Sequence, residues 1–335
     1  MNGNGEKGKR ILMFCVSFFG YEKRLADALR EAGYRVDLYD ERPSNGFVGK
    51  VCVRLGLKAY QGVINRRLKK IVEENRDGEY DYVFVVKGEA MDAAQIRLLR
   101  QAYPKAQFVL YLWDSVNNIP RGKEKLPLYD RVLTFDPMDA QTYGIPYLPI
   151  PYGNEPARQP AQEQCRYDVV FVGTAHSVRP RVVKQIESIC RENGRSCYSY
   201  FYSPHKLVYL LNKLTNPDYR YLSKGEVHFT PMSARELYAL YGASRCVLDI
   251  EHPKQKGTTT RPVEMLPLGK KIITTNTYVK DFPFYNENNF CIVDRDDPKF
   301  DVAFLDTPYL PVSDELLERY SPRSFVKALL PETED

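Results

Sequence analysis

The sequence lacks the features that mark secreted, membrane-spanning and zinc-binding proteins. Its seven cysteines are odd in number and form no CxxC pair, and it has four histidines. Disulfide frameworks and structural zinc sites use paired cysteines or clustered cysteine and histidine, so we expect reduced thiols and no metal site. The apolar run after the polar start MNGNGEKGKR is too short for a signal peptide or a membrane span. We therefore predict a cytoplasmic protein.

Glycine motifs that bind phosphate are missing as well. No GxGxxG follows a predicted strand and no GxxxxGK[ST] occurs, which removes the main support for a dinucleotide-binding or P-loop protein. The net charge of +5 is too small to indicate nucleic acid, although it permits an anionic ligand or an anionic membrane surface. Hydrophobic residues make up 43% of the chain, enough for a large core.

Continuous apolar runs and helix-patterned stretches alternate along the 335 residues. The predicted strands of the first half are KRILMFCVSFFG, YRVDLYD, YDYVFVVKG, AQFVLYLWD, RVLTFD and PYLPI. Those of the second half are YDVVFVGT, SCYSYFY, GEVHF, RCVLDI, KKIITTN and FCIVD. Apolar strands separated by helices are typical of a parallel sheet covered on both faces. The sequence therefore predicts an α/β fold of two Rossmann-like, doubly wound domains that face each other across a cleft.

The domain boundary is predicted in the proline-rich, polar stretch between Pro149 and Arg166, which has no periodicity. We place an N-terminal Rossmann-like domain at residues 1–150 and a C-terminal one at residues 151–312. The remaining segment, 313–335, contains SDELLERYSPRSFVKALL, which is helical and apolar on one face. We expect this tail to return to the N-terminal domain.

One candidate binding segment of the second half is VVFVGTAHSVRPR, a buried strand that runs into a helix. A small residue at the strand end lets the backbone approach a phosphate, and a helix N-terminus flanked by arginines favours negative charge. The residues concerned are Gly173, Thr174, His176, Arg179 and Arg181. The alternative is an ordinary loop with solvated arginines.

The second candidate segment is KQKGTTTRPVEMLPLG, which follows the strand RCVLDI. Threonine hydroxyls and backbone amides at a helix start donate to a pyrophosphate, Arg261 neutralises it, and Glu264 accepts from two ribose hydroxyls. The full set is Lys256, Gly257, Thr258, Thr259, Thr260, Arg261 and Glu264. The alternative makes the threonines a helix cap and Glu264 their capping-box partner.

Both halves of the chain resemble a known family. LDIEHPKQKGTTTRPVEMLPLGKKIITTN followed by FYNENNFCIVD resembles the donor-binding half of GT-B glycosyltransferases, in the branch that assembles bacterial capsule, exopolysaccharide and lipopolysaccharide. The pieces FFGYEKRLADALREAGYRVDLYDERPSN, VVKGEAM, YLWDSVNN and YDRVLTFDPMDAQTYG resemble the same branch. The resemblance spans Ile11 to Asp294 and is more specific for fold and donor class than for the sugar.

The resemblance implies a nucleotide-sugar donor as co-substrate, a glycan or lipid-linked acceptor, and no metal or other cofactor. It implies that Glu264 holds the ribose, that Arg261 contacts phosphate, and that Gly173 and Thr174 open onto the donor phosphates. Many retaining GT-B enzymes carry another glutamate eight positions before the ribose glutamate, and this chain has Lys256 there. A cation at that position would serve the diphosphate leaving group, and the anomeric outcome stays open.

A base for the acceptor hydroxyl is expected among the carboxylates that follow strands of the first half. Asp114 ranks first because it follows Trp113, the only tryptophan and an aromatic surface on which sugars stack. Glu89, with Lys87 nearby, ranks second, and Asp136 is a further candidate. For each carboxylate the alternative role is a helix cap or a salt bridge.

The stretch GKVCVRLGLKAYQGVINRRLKKIVEEN predicts a basic amphipathic helix, the element with which a cytosolic enzyme contacts anionic lipid at the inner membrane face. Its cations are Arg54, Lys58, Arg66, Arg67, Lys69 and Lys70. The alternative is a solvated helix face over a core.

The sequence favours a nucleotide-sugar-dependent glycosyltransferase of the hexosyl type that acts on a surface polysaccharide or a lipid-linked acceptor. Two alternatives remain open at this point. One is a nucleotide-sugar epimerase on the same two-domain plan, and the other is a non-catalytic nucleotide-sugar-binding protein, for which Lys256 in place of glutamate is a motive.

Overall fold

The computed structural model describes residues 8–331 except 18–19, 45, 47–48, 50–51, 54–57, 154–164, 224 and 252–256, and it describes 58–59 by their backbone alone. The chain forms two compact units. Unit 1 contains residues 1–154 and 321–335, and unit 2 contains residues 155–320. Most of the predicted linker between Pro149 and Arg166 lies outside the described residues.

Unit 1 contains a five-stranded parallel sheet. Its elements up to residue 143 are β1 (Arg10–Cys15), α1 (Tyr21–Glu31), β2 (Arg35–Asp40), α2 (Lys58–Glu74), β3 (Tyr82–Val86), α3 (Ala93–Ala102), β4 (Gln107–Leu112), α4 (Gly122–Lys125), β5 (Arg131–Thr134) and α5 (Pro137–Tyr143). The strand order is β2-β1-β3-β4-β5, with parallel pairing throughout. The order reverses between β1 and β3, where doubly wound sheets open a crevice at the carboxyl ends of their strands.

Side chains of β1 alternate between two hydrophobic layers. Leu12 and Phe14 pack with residues of α2 and α3, whereas Ile11 and Met13 pack with residues of α1 such as Leu25. Successive side chains of a strand point to opposite faces, so both faces of this sheet are buried. The predicted doubly wound arrangement of the first half is confirmed.

The α2 helix uses its apolar face inside unit 1. Ile64, Leu68 and Ile71 follow helical spacing and are buried in the core. The exposed side carries Arg66, Lys69 and Lys70. The core of unit 1 therefore covers these three apolar side chains, and membrane contact of the basic stretch stays a prediction. Arg54 and the side chain of Lys58 lie outside the described residues.

Unit 2 contains a six-stranded parallel sheet. Its elements are β6 (Tyr167–Thr174), α6 (Arg179–Glu192), β7 (Cys197–Tyr202), α7 (Lys206–Thr215), β8 (Val227–His228), α8 (Ala234–Gly242), β9 (Ser244–Asp249), α9 (Thr260–Leu268), β10 (Lys271–Thr274), β11 (Phe290–Ile292) and α10 (Asp314–Arg319). The strand order is β11-β10-β9-β6-β7-β8, again with parallel pairing. Here the order reverses between β6 and β9, which confirms the second doubly wound sheet.

Short 3-10 helices complete the described secondary structure. They lie at Val116–Asn118, Leu126–Leu128, Pro217–Tyr221, Thr277–Asp281 and Val302–Leu305. None of the helices among the described residues is both long and apolar enough to cross a membrane.

The C-terminal tail forms two helices that belong to different units. The first, α10, lies in unit 2, and the second, α11 (Pro322–Leu329), lies in unit 1. The hydroxyl of Ser321 caps α11 by accepting from the Ser324 amide, and Pro322 occupies the first turn, where an amide is not needed. The ring of Phe325 packs edge-on against Tyr111 with 4.9 Å between centroids.

One predicted strand of the first half is wrong. The segment PYLPI makes a single bridge, between Tyr147 and Thr134 of β5, and does not extend the sheet. Pro146 and Pro149 have no amide hydrogen to donate to a ladder, which explains why the apolar pattern fails here.

Candidate functional site

Three arginines surround the strand ends at which the order of unit 2 reverses. Each donates to a backbone carbonyl at the carboxyl edge of the sheet. The distances are 2.6 Å from Arg261 Nη2 to the Val172 oxygen, 2.8 Å from Arg179 Nε to the Ile250 oxygen, and 3.0 Å from Arg295 Nη1 to the Glu251 oxygen. Parallel doubly wound sheets bind their ligands at this edge, so the three guanidinium groups mark a candidate site.

Two buried carboxylates orient the arginines. Asp249, at the end of β9, is fully buried, and its Oδ1 accepts from Arg261 Nη1 at 2.7 Å and from the Thr259 hydroxyl at 3.0 Å. Glu251 pairs with Arg295 and accepts from a neighbouring threonine hydroxyl. Buried charges of this kind hold long arginine side chains in one conformation.

Burial and neighbouring charges shift the pKa values of the three arginines in different directions. Burial, together with the nearby charge of Arg261, lowers the pKa of the Arg179 guanidinium to about 10. Burial also lowers the pKa of Arg295. Burial acts in the same direction on Arg261, but Tyr241 and Asp249 outweigh it and raise the pKa of that residue. All three remain cationic at neutral pH, and like charges crowded at low dielectric favour an anionic ligand.

The helices that follow the two central strands, α6 after β6 and α9 after β9, have no side-chain cap. The N-cap of α6 is Val178 and that of α9 is Thr259, and neither side chain bonds the first helical turn. The Thr259 hydroxyl is turned to Asp249 instead, so the helix-cap interpretation of the threonines is wrong for this residue. Elsewhere Asp92, Asp136 and Ser233 cap α3, α5 and α8. Pro180 and Pro262 have no amide hydrogen, and the Arg179 amide donates to the His176 carbonyl at 3.2 Å. The amides suited to bind an anion are therefore those of Arg181 in α6 and of Thr260 and Arg261 in α9.

Glu264 lies one turn into α9 and is buried, with 3% of its surface exposed. Its Oε1 accepts from the Tyr238 hydroxyl at 2.8 Å. Thr258 and Gly257 are buried just before the helix, where the Thr258 hydroxyl donates to a backbone carbonyl. Contact of Glu264 with a ribose stays a prediction.

Among the other predicted donor-binding residues, Gly173 lies close to the arginine group, whereas Arg181 is engaged by other carboxylates. Gly173 lies at the end of β6, where an added Cβ would come within 2.8 Å of the Phe171 ring and 3.4 Å of Arg179 Nη1. His176 is half-buried beside it. Arg181, in contrast, is turned to Asp218 and Asp296 at 3.4 and 3.1 Å.

Two threonines of the predicted set lie at the end of β6 and at the start of α9. The Thr174 carbonyl accepts from Arg179 Nη1 at 3.4 Å, which ties the end of β6 to the arginine group. Thr260 is the first residue of α9 and is half-buried. Lys256 lies outside the described residues.

In unit 1, Lys87 links the two carboxylates predicted as bases. Its Nζ lies 2.9 Å from Glu89 Oε2 and 3.3 Å from Asp114 Oδ2. Glu89 also pairs with Arg42. Burial alone would raise the pKa of Glu89, but Lys87 and Arg42 outweigh it and lower that pKa below its ordinary value. Asp136 caps α5 through bonds to two amides, so its role is the structural one.

The turn that carries Glu89 is held by buried side chains. Glu41 Oε1 accepts from the two backbone amides that follow Glu89, at 2.7 and 3.0 Å, and Lys125 Nζ donates to the Gly88 carbonyl at 2.6 Å. Lys87, at the start of the turn, has a φ of 75°, in the left-handed region that non-glycine residues rarely adopt. Strained and braced backbone of this kind clusters at functional sites.

Sequence reasoning assigned no role to several residues of both groups. Asp249 ends a strand and Arg295 follows β11, while Glu41 and Arg42 follow β2. These four residues could have been identified because each ends or follows a strand of a parallel sheet. The carboxyl ends of such strands lie at one edge, where ligands bind. Tyr241 of α8 carried no such signal, because its contact with Arg261 depends on helix packing.

Comparison with known proteins gives structural matches only. No protein-family model matches the chain, and no curated protein matches its sequence. A complex of Anabaena Alr3699/HepE with UDP-glucose is 11% identical, with a TM-score of 0.56 over 96% of this chain and 95% of that one. A glycosyltransferase from Rickettsia africae gives 12% identity and a TM-score of 0.53, covering 96% and 94%.

The chain has the GT-B fold. A Listeria monocytogenes structure, whose name gives UDP-N-acetylglucosamine 2-epimerase as an unconfirmed activity, is also similar, with 9% identity and a TM-score of 0.50 over 96% of this chain and 94% of that one. At these identities the likeness shows the GT-B fold alone, because one fold hosts many activities.

Proposed function

We propose that the protein is a glycosyltransferase that moves a sugar from a nucleotide-sugar donor to an acceptor of bacterial surface-polysaccharide assembly, either a glycan or a lipid-linked glycan. The observation that carries the proposal is the cluster of cationic side chains at the strand edge of unit 2. Two uncapped helix starts and the guanidinium groups of Arg179, Arg261 and Arg295 lie at one strand edge. A nucleoside diphosphate matches this combination of aligned amides and fixed cations.

In the proposed reaction, the acceptor oxygen bonds to the anomeric carbon while the bond from that carbon to the diphosphate oxygen breaks. The arginines stabilise the charge that develops on the leaving diphosphate. The acceptor proton passes to a carboxylate or to the leaving phosphate. Among the carboxylates, Asp114 is favoured over Glu89, because Glu89 is paired with both Lys87 and Arg42 and its pKa is lowered, which makes it a weaker base.

The donor nucleoside is assigned to Glu264. A carboxylate one turn into α9 accepts hydrogen bonds from vicinal ribose hydroxyls, and Tyr238 fixes its orientation. Substituting Glu264→Gln keeps the shape and an oxygen for Tyr238 while removing the charge. We expect nucleotide affinity to fall about tenfold or more, equivalent to about 1.5–3 kcal/mol for hydrogen bonds to a charged group.

Calorimetry with UDP, GDP, CMP and dTDP tests this assignment. Glu192→Gln, an exposed carboxylate at the far end of α6, is the matched control and should bind like the wild type. Absence of binding of all four nucleotides by the wild type would overturn the proposed function. Equal affinity in Glu264→Gln and Glu192→Gln would remove the ribose assignment alone.

A second candidate function is supported by the likeness to the Listeria structure, whose name describes an epimerase of UDP-N-acetylglucosamine. An epimerase converts the donor without an acceptor, whereas a transferase releases a nucleoside diphosphate. Chromatographic analysis of the donor incubated alone distinguishes the two. A new nucleotide sugar formed without an acceptor would favour the epimerase, and a protein that binds but never consumes the donor would be a non-catalytic binder.

A further inference from the structure

The α7 helix of unit 2 exposes its apolar face. Leu207, Leu210, Leu211 and Leu214 follow the i, i+3, i+4, i+7 spacing of a single helix face, here called the leucine ridge. Each of the four is between 52% and 77% exposed. Together they form a continuous apolar row on the surface, whereas helices of soluble proteins normally turn such a row inward.

The face of α7 that contacts the protein is the more polar one. Asn212 Nδ2 donates to the Tyr219 hydroxyl at 3.0 Å. The ring of Tyr209 packs against Tyr219 and Phe229, with centroids 6.0 and 6.1 Å apart. These contacts anchor the helix through an amide and aromatic rings, so the leucines are held outward by the packing of the opposite face.

The surroundings of the leucine ridge are cationic. Lys206 and Lys213 belong to α7, which contains no acidic residue, and Arg220 is exposed nearby. Lys206 Nζ lies 6.0 Å from the Phe229 ring centroid and Lys213 Nζ 5.9 Å from that of Tyr209. A peripheral helix on a membrane combines an apolar face with flanking lysines, whose ammonium groups contact the lipid phosphates. The leucine ridge and its lysines have this combination.

The acidic residues of the neighbouring segment do not offset these cations. Residues 204–232 contain two, Asp218 and Glu226. Asp218 lies 3.4 Å from Arg181, and Glu226 pairs with Lys184, so both are engaged by cations of α6. The charge presented beside the leucine ridge is therefore positive.

We propose that the leucine ridge docks the protein on the headgroup region of an anionic lipid bilayer. The leucines enter the acyl boundary while Lys206 and Lys213 remain at the level of the phosphates. A symmetric contact between two copies is less favourable, because it would bring the same lysines of both copies together. Lipid binding at this surface needs no nucleotide and does not depend on the proposed transferase activity.

Flotation of the full-length protein with vesicles of phosphatidylcholine, alone or mixed with phosphatidylglycerol, tests the proposal. The wild type should float with the mixed vesicles. The double variant Leu210→Ser with Leu214→Ser should lose at least about tenfold of that binding, because each leucine loses its transfer free energy. Lys206→Ser with Lys213→Ser should reduce binding to the mixed vesicles alone.

Two matched controls separate this surface from others. Leu310→Ser removes an exposed leucine elsewhere in unit 2, and Arg66→Ser with Lys70→Ser removes exposed cations of α2. Both should float like the wild type. A wild type that stays unbound, a ridge variant that floats unchanged, or loss of binding in the α2 variant would each overturn the proposal.

A second measurement does not depend on comparing destabilised variants. Leu211→Trp places an indole in the leucine ridge, and its emission should shift to the blue when mixed vesicles are added. An unchanged spectrum would contradict insertion.

Sedimentation in solution tests whether a second copy of the chain covers the leucine ridge instead of lipid. Self-association of the wild type that disappears in the ridge variant, without any change in flotation, would assign the surface to a second copy and overturn the proposal.

Discussion

Among single residues, Asp249 and Arg261 show most clearly how unit 2 prepares an anion site. Asp249 is fully buried, and its carboxylate holds the guanidinium 2.7 Å away. Removing one partner from a buried ion pair costs about 3–5 kcal/mol, because the other charge is left without compensation. The arginine is therefore fixed before a ligand arrives, and little side-chain entropy remains to be lost on binding.

Glu41 gives unit 1 a pH-dependent stability. Burial, together with the charge of Glu89, raises the pKa of Glu41 from 4.5 to about 7. Between these values the folded state binds more protons than the unfolded state, so the free energy of unfolding falls as pH rises. Glu41→Gln removes this loss and keeps an acceptor oxygen for the two amides. We expect the variant to be about 3 kcal/mol more stable than the wild type above about pH 8, with the advantage gone below about pH 4.

Urea unfolding followed by tryptophan fluorescence measures this effect. Trp113 is the only tryptophan and lies in unit 1, so the signal reports the unit that contains Glu41. Glu79→Gln changes an exposed carboxylate of the same unit and should follow the wild type at every pH. If the wild type and Glu41→Gln differ by a constant amount across the pH range, the buried carboxyl does not titrate as described.

At the level of secondary-structure elements, helices with and without an N-terminal side-chain cap should differ in how a bound nucleotide changes their amide hydrogen exchange. The amides at the starts of α6 and α9 have no side-chain acceptor, whereas Ser233 and Glu236 form a capping box at α8. A bound nucleoside diphosphate should therefore slow hydrogen exchange of the Arg181, Thr260 and Arg261 amides and leave 234–237 unchanged. Exchange measured by mass spectrometry with and without the bound nucleotide checks this expectation. Equal protection at all three starts would indicate general stiffening instead of phosphate contact.

Strands were the elements that the sequence predicted best, because strands buried on both faces appear as continuous apolar runs. PYLPI had the same apolar character and failed, since Pro146 and Pro149 cannot complete a ladder. The tail was predicted as one helical segment, but Ser321 and Pro322 start a new helix that joins the other unit. Helix periodicity reveals a buried face without revealing which core buries it.

The candidate site was predictable as far as strand ends were informative. Arg261 and Glu264 were identified because they follow β9 at the start of a helix. The partners that fix them, Asp249 and Tyr238, come from a strand end and from another helix, 12 and 26 positions away along the chain. Such pairs depend on how α8 and α9 pack on the sheet, and one sequence does not contain that information.

In the whole molecule, the path of the chain makes unit 1 depend on both ends of the sequence. The chain leaves unit 1 after residue 154, builds unit 2, and returns at residue 321. The returning helix, α11, buries Phe325, Val326 and Leu329 in the hydrophobic layer that also contains Ile11 and Met13 of β1. Unit 1 therefore reaches its full core only after the residues of α11 have been synthesised.

This dependence predicts that Phe325→Ala destabilises unit 1 strongly, although the residue lies near the C-terminus. Phe325 is 2% exposed and its ring contacts Tyr111, which in turn contacts Trp113 with centroids 5.8 Å apart. Truncating a buried phenylalanine costs about 3–5 kcal/mol, so the urea midpoint of the Trp113 signal should fall markedly.

Lys327→Ala, on the exposed side of α11, is the matched control and should leave that midpoint nearly unchanged. The comparison is direct because both substitutions shorten a side chain of the same helix and only one of them opens a cavity in the core. An unchanged midpoint in Phe325→Ala would mean that α11 contributes little to unit 1 in solution. The first 154 residues would then supply the stability of that unit by themselves.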